Sequence, residues 1–141
     1  MKLAEPQDTQ TGAIIDAALE IHRQLGYGFA QAIYKDAAVI EFALRNIPYQ
    51  REVLLPIKYK DYLLPTHYEA DFICFSDILV EFMAMSDLSN FEEMQVLNCL
   101  KATGIRCGLL INFGSVGLQY KNLACDCEAI HNSKNKSAQS A

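Results

Sequence analysis

The most informative residue in the chain is a carboxylate inside an apolar run. Ile78-Leu79-Val80-Glu81-Phe82-Met83-Ala84-Met85 is otherwise wholly hydrophobic. A buried, unpaired carboxylate is costly, so Glu81 requires a cation, a proton or hydrogen-bond donors. In the preceding extended segment, His67, Glu69 and Asp71 recur at a spacing of two and share one face of a strand. If the two strands pair through a turn at Ser76-Asp77, Asp71 comes beside Glu81. Two carboxylates aimed at one point suit a hard divalent cation such as Mg2+ or Mn2+. Such an ion polarises a phosphate oxygen and lowers the pKa of a bound water. The alternative on the same residues is that backbone amides, or a Lys or Arg elsewhere, satisfy both acids.

Other candidates are weaker. Cys125-Asp126-Cys127 with His131 has no strong zinc spacing and no evident fourth ligand. Cys74, Cys99 and Cys107 lie in apolar segments and read as buried thiols. His22 sits beside the apolar stripe of a predicted helix and reads as a packed or capped histidine. Gly26-Tyr27-Gly28 follows a helix and lacks the strand, helix and Lys of a phosphate-binding loop. Tyr27, Phe29 and Tyr34 near that loop offer rings that either stack on bases or pack in the core.

These residues need a scaffold, and the patterning supplies one. Thr9 or Thr11 caps a helix to about Leu25, with Ile14, Ala18, Ile21 and Leu25 at helical spacing. A second helix is predicted from about Ala30 to Arg45, with Ile33, Ala37, Ile40 and Leu44 on its apolar face. Asn46-Ile47-Pro48 ends it. Strands are predicted over Glu52–Lys60, Thr66–Phe75 and Ile78–Met85, with turns at Lys60-Asp61 and Ser76-Asp77. A third helix runs from a cap at Asp87 or Ser89 to about Thr103, with Phe91, Met94, Leu97 and Leu100 as its stripe and Gly104 as its C-cap. Cys107–Phe113 reads as a strand buried on both faces, and Leu118–Leu123 as a short last strand or helix. The order is α-α-β-β-β-α-β: a three-stranded meander, a crossover helix and a buried strand. Residues 1–9 read as a lead-in, 10–128 as one domain and 129–141 as a disordered tail rich in Ser, Asn and Lys.

The 141 residues make one domain, and the 51% hydrophobic content supports a real core. No apolar run reaches the ~18–20 residues that span a bilayer, so no membrane role is expected. Met1–Thr9 has one Lys and no apolar core, which reads as no secretory signal and a cytoplasmic protein. An odd cysteine count of five argues against a disulfide framework. The net charge of −5 argues against a broadly basic nucleic-acid surface but leaves room for a local basic patch.

Further segments carry a resemblance. They are residues 11–18, Glu20-Ile21-His22-Arg23-Gln24-Leu25-Gly26 with Gly28, residues 95–104, and Gly108-Leu109-Leu110-Ile111-Asn112-Phe113-Gly114. Over about residues 11–123 the chain resembles the GxxExxY proteins, a group of the PD-(D/E)XK nuclease superfamily. The resemblance implies an α/β fold with a central mixed sheet flanked by helices. It also implies phosphodiester hydrolysis with Mg2+ or Mn2+, and no small-molecule cofactor. By the motif, Asp71, Glu81 and Gln95 take the catalytic positions. Asp71 and Glu81 are the metal ligands, with Glu69 as a further candidate. Apart from the motif, Lys101 and Tyr34 are candidates for contacts with nucleic acid.

The departures from the motif are specific. The helix Glu of the family is Gln31 here, the Lys of the (D/E)XK triplet is Met83, and the Tyr four residues after Gln95 is Cys99. Met has no charge and no strong donor, and Gln brings no negative charge. One reading is a catalytically impaired nuclease fold that acts by binding nucleic acid or protein. A second is an active nuclease whose roles have migrated, with Glu69 or Glu20 as the acid and Lys101 as the cation. A third is an oligomeric module without metal. The faces carrying Val53, Leu55, Ile57 and Tyr59 are compatible with a homodimer.

Overall fold

The computed structural model describes residues 6–123. The Cys125-Asp126-Cys127 and His131 candidates, and the tail, lie outside the described residues. Helices α1 (Pro6–Leu25) and α2 (Gln31–Leu44) precede strand β1 (Tyr49–Leu55). A short hairpin follows, β2 (Lys58–Tyr59) and β3 (Tyr62–Leu63). Then come β4 (Tyr68–Cys74), β5 (Ile78–Met83), α3 (Asn90–Thr103), β6 (Cys107–Asn112) and β7 (Gln119–Leu123). Five strands form one mixed sheet in the order β1-β4-β5-β6-β7, and β2-β3 form a separate two-stranded sheet. β5 and β6 are parallel, as the α3 crossover requires; the other pairs are antiparallel.

The sheet is covered on both faces. Ile78, Val80, Phe82, Leu109 and Ile111 pack with α1 and α2, while Leu79 and Leu110 pack with Val96, Cys99 and Leu100 of α3. Burial on both sides is why these strands read as continuous apolar runs. Cys74, Cys99 and Cys107 are buried, as expected. An aromatic line runs through the α1–α2 side: Phe42–Phe72, Phe72–Phe82 and Phe82–Phe113 have ring centroids 5.2, 5.3 and 4.8 Å apart. No helix among the described residues is long and apolar enough to cross a membrane.

Several local expectations change. Lys60-Asp61 turns the β2–β3 hairpin rather than joining two strands of the main sheet. β1 stops at Leu55 because Pro56 has no N–H to continue a ladder. α1 begins at Pro6, a residue suited to a first helical turn, and Thr11 is buried within it. On α2 the buried residues are Tyr34, Ala38 and Phe42, whereas Ile40 and Leu44 are 64% and 71% exposed. This helix has two apolar faces, and the aromatic one wins because its rings complete the Phe72–Phe113 cluster. α3 likewise buries Val96, Cys99 and Leu100 and leaves Phe91 and Met94 outward. Its ends follow expectation: Ser89 and Glu92 form a capping box, and Gly104, at φ 77°, closes the last turn.

Beyond β6 the chain is held by Asn112, which is fully buried. Its Oδ1 accepts the N–H groups of Met85 (2.9 Å) and Gly114 (3.1 Å). Its amide donates to the Met85 carbonyl (2.8 Å) and to Gln119 Oε1 (2.9 Å). Gly114 lies so close to the next strand end that an added Cβ would collide with the backbone of Ala84 and Met85. Gly114→Ala is therefore expected to destabilise the protein by about 2–4 kcal/mol, since neither backbone segment can yield cheaply. Urea denaturation measures this, and a change below about 0.5 kcal/mol would show that the loop relaxes freely.

Candidate active site

Asp71 occupies a break in both ladders that flank its strand. β4 and β5 pair at Cys74↔Ile78, Ile73↔Leu79 and Phe72↔Val80, and the ladder stops there. On the other side, β1 pairs at Arg51↔Phe72 and Val53↔Ala70, skipping Glu52, whose φ is 54°. A non-glycine residue in the left-handed region within a strand stores strain. Side chains replace the missing ladder bonds. Asp71 Oδ2 accepts the Phe82 N–H at 2.8 Å, and Glu81 Oε2 accepts the Asp71 N–H at 3.3 Å. The two acids are thus neighbours, in the gap where β4 and β5 part.

α2 closes this gap from one side. Gln31 and Lys35, one helical turn apart, point the same way. The Gln31 amide nitrogen donates to Asp71 Oδ2 at 3.4 Å and to the Phe82 carbonyl. Lys35 Nζ lies 3.2 Å from Asp71 Oδ1 and 3.8 Å from Glu52 Oε2. The Lys35 and Asp71 side chains are only 15% and 11% exposed, so this ion pair is shielded from water.

Glu81 faces the other way, toward Tyr68 and Cys99. Burial, reinforced by the charge of Asp71, pushes its carboxyl up to about 9. Near neutral pH the fold therefore favours the protonated form of Glu81. Burial, followed by the neighbouring Glu81 charge, also raises the Tyr68 phenol far above its ordinary value. The same two causes push the Cys99 thiol up to about 12.

The other expected site residues differ in exposure and packing. Met83 is half-buried and packs with the α3 cluster. Gln95 is exposed on α3, Glu69 is exposed on β4, and Lys101 is exposed in the last turn of α3. Glu20 pairs with Arg23 on its own helix. Tyr34 is not a base-stacking ring. It is fully buried, stacks on Phe113 at 4.6 Å, and donates its hydroxyl to the Gly26 carbonyl at 2.7 Å. It therefore joins the α1–α2 turn to the core. His22 is a packed histidine hydrogen-bonded to the Ser115 carbonyl at 3.1 Å.

Lys35, Glu52 and Tyr68 are the site neighbours that the linear pattern did not single out. Lys35 was within reach of that pattern, because it lies four residues after Gln31 on the same helix. Glu52 was not, since its position depends on a left-handed residue in an edge strand.

Hard oxygen ligands are present in Asp71, Glu81 and the Phe82 carbonyl, and this donor set fits Mg2+ or Mn2+ chemically. Among the described residues no three His, Cys, Asp or Glu side chains converge on one point. An ion held by Asp71 and Glu81 would supply Lewis acidity and a more acidic water. It would have to displace the proton on Glu81 and compete with the Lys35 ammonium.

A family model described as the PD-(D/E)XK nuclease superfamily matches residues 8–123. Searches of curated proteins and of solved structures found no match.

Proposed function

Since the chain belongs to the PD-(D/E)XK nuclease superfamily, we propose that it is a nucleic-acid-binding member, close to the GxxExxY group, whose hydrolytic step is strongly impaired. The observation that carries this is the saturation of Asp71. Its Oδ1 is held by Lys35, and its Oδ2 by the Phe82 N–H and Gln31. A glutamate at position 31 would set a third carboxylate against Asp71 and the Phe82 carbonyl, an arrangement that demands a cation. Gln31 turns that repulsion into two hydrogen bonds. A lysine at position 83 would add a charge on the strand; Met83 adds only packing. The demand for a metal ion is thus met largely from within the protein, by one ammonium and one proton.

One observation favours a second reading, an active Mg2+- or Mn2+-dependent nuclease. Lys35 brings a cation to Asp71 from α2, in place of the one missing from position 83. In that case Lys35 would stabilise charge developing on the phosphate, and Asp71 and Glu81 would hold the metal.

Cleavage of single- and double-stranded DNA and RNA in Mg2+ and in Mn2+ decides between them. The proteins compared are the unaltered chain, Asp71→Ala, Lys35→Met, and the double variant Gln31→Glu with Met83→Lys. Impairment predicts that the double variant cuts at least ~100-fold faster than the unaltered chain, on the scale of a removed charge-stabilising group. If the unaltered chain cuts and both Asp71→Ala and Lys35→Met abolish it, the second reading is correct. Cutting by none of the four would leave binding as the only activity of this cleft.

A further inference from the structure

We propose that the β2–β3 hairpin is a contact element for single-stranded nucleic acid; this rests on the nucleic-acid reading above and names the surface that would engage the strand. The hairpin carries two tyrosines as direct cross-strand partners, Tyr59↔Tyr62. They are 62% and 73% exposed. Lys60 Nζ stands 5.5 Å from the centre of the Tyr59 ring, and Lys58 is the register partner of Leu63. A two-stranded ribbon of this size buries little and is only marginally stable by itself. Its large aromatic side chains are not core residues, so the fold does not account for them.

The charge pattern points to a polyanion. The chain as a whole carries −5, yet Lys58-Tyr59-Lys60-Asp61-Tyr62 has two lysines and one aspartate. Lysines bind phosphates without reading sequence. Adjacent exposed rings stack on unpaired bases, whose faces are open in a single strand and covered in a duplex. A groove of about 440 Å3 separates the hairpin from the end of α3, with Lys58, Leu63, Ala102 and Ile105 among its lining residues.

The location supports this use. The segment bearing the hairpin leaves and rejoins the main sheet at the register pair Leu55↔Tyr68. Tyr68 is close enough to Glu81 to feel its charge, and it lies three residues before Asp71. The hairpin is therefore tethered to β4, the strand that carries Asp71.

Fluorescence anisotropy with a labelled oligothymidine and with a blunt duplex of equal length, in EDTA, tests the proposal. The intact protein should prefer the single strand. Tyr59→Ala with Tyr62→Ala should weaken that binding by roughly 10- to 100-fold, whereas Tyr59→Phe with Tyr62→Phe should keep it, because stacking needs the ring and not the hydroxyl. Lys58→Gln with Lys60→Gln should reduce the salt dependence by about the equivalent of two phosphate contacts. Circular dichroism melts would confirm that each variant is folded. If the intact protein binds the strand and the alanine pair binds equally well, the hairpin proposal is wrong while the nucleic-acid reading stands. If the intact protein binds neither oligomer, that reading fails and takes the hairpin proposal with it. Should the alanine pair lower only the mass measured by light scattering, the surface joins two copies of the chain and the proposal is overturned.

Discussion

Lys35→Met is expected to destabilise the metal-free protein by about 3 kcal/mol, because it strands the Asp71 carboxylate in a shielded gap with no cation. The ion pair it removes is short, at 3.2 Å, and largely hidden from solvent, unlike the exposed Arg23–Glu20 pair on α1. Exposed pairs of that kind contribute little, because water and salt screen them. The Lys35 variant also frees Asp71 for another cation. Millimolar Mn2+ should therefore raise its melting temperature by several degrees more than that of the unaltered protein, through the usual binding linkage. Adding Asp71→Asn to Lys35→Met should recover part of the loss, with a coupling of about 1–3 kcal/mol. Urea titrations of the four proteins of this cycle measure the coupling directly. A loss below about 0.5 kcal/mol for Lys35→Met would mean that the pair behaves as a surface contact, and the account of a self-neutralised site would then fail.

Glu81→Gln is expected to act in the opposite direction, and its effect should depend on pH. In an unfolded chain the carboxyl titrates near 4.5, whereas in the fold burial and Asp71 push it up to about 9. Below about pH 4.5 both states hold the proton, and the buried neutral acid contributes its full stability. As pH rises toward about 9, the unfolded chain gains by ionising while the folded one does not, so that stability is progressively lost. Glutamine keeps the shape, offers an oxygen to the Asp71 N–H and has nothing to titrate. In EDTA at pH 8 the variant should be more stable than the unaltered protein by about 2–4 kcal/mol, with little difference at pH 4. A pH-independent difference between the two proteins in urea denaturation would mean that Glu81 is not held neutral. The same variant should lose any Mn2+-induced rise in melting temperature, since it removes one of the two anionic ligands.

These two substitutions separate the functional readings as well. An impaired nuclease-fold protein tolerates, and even profits from, a neutral residue at position 81. A working metal site cannot tolerate it. Asp71 is the residue that both readings share, because it receives Lys35, Gln31 and the Phe82 amide and is also the central candidate ligand.

What the linear pattern determined by itself was the class of the fold and the identity of the carboxylate pair. Local physics suffices for both. A Glu inside Ile78–Met85 and an Asp at strand spacing before a tight turn must become neighbours if the turn forms, and an apolar run between a helix and Gly114 must be a strand buried on both faces. Capping at Gly104, and at Asp87 or Ser89, was equally local, and Ser89 takes the role. The choice between the two apolar faces of α2 was not, because Ile33, Ile40 and Leu44 are as hydrophobic as the Tyr34, Ala38 and Phe42 that are buried. Only the aromatic cluster on the sheet selects between them. That selection rotates Lys35 and Gln31 toward Asp71 and carries Tyr34 into the core. The source of the compensating cation was likewise decided by tertiary structure. A charge missing from one strand can be supplied from any element that reaches the gap, and reach is set by helix packing and by the left-handed turn at Glu52, neither of which is encoded in residue spacing.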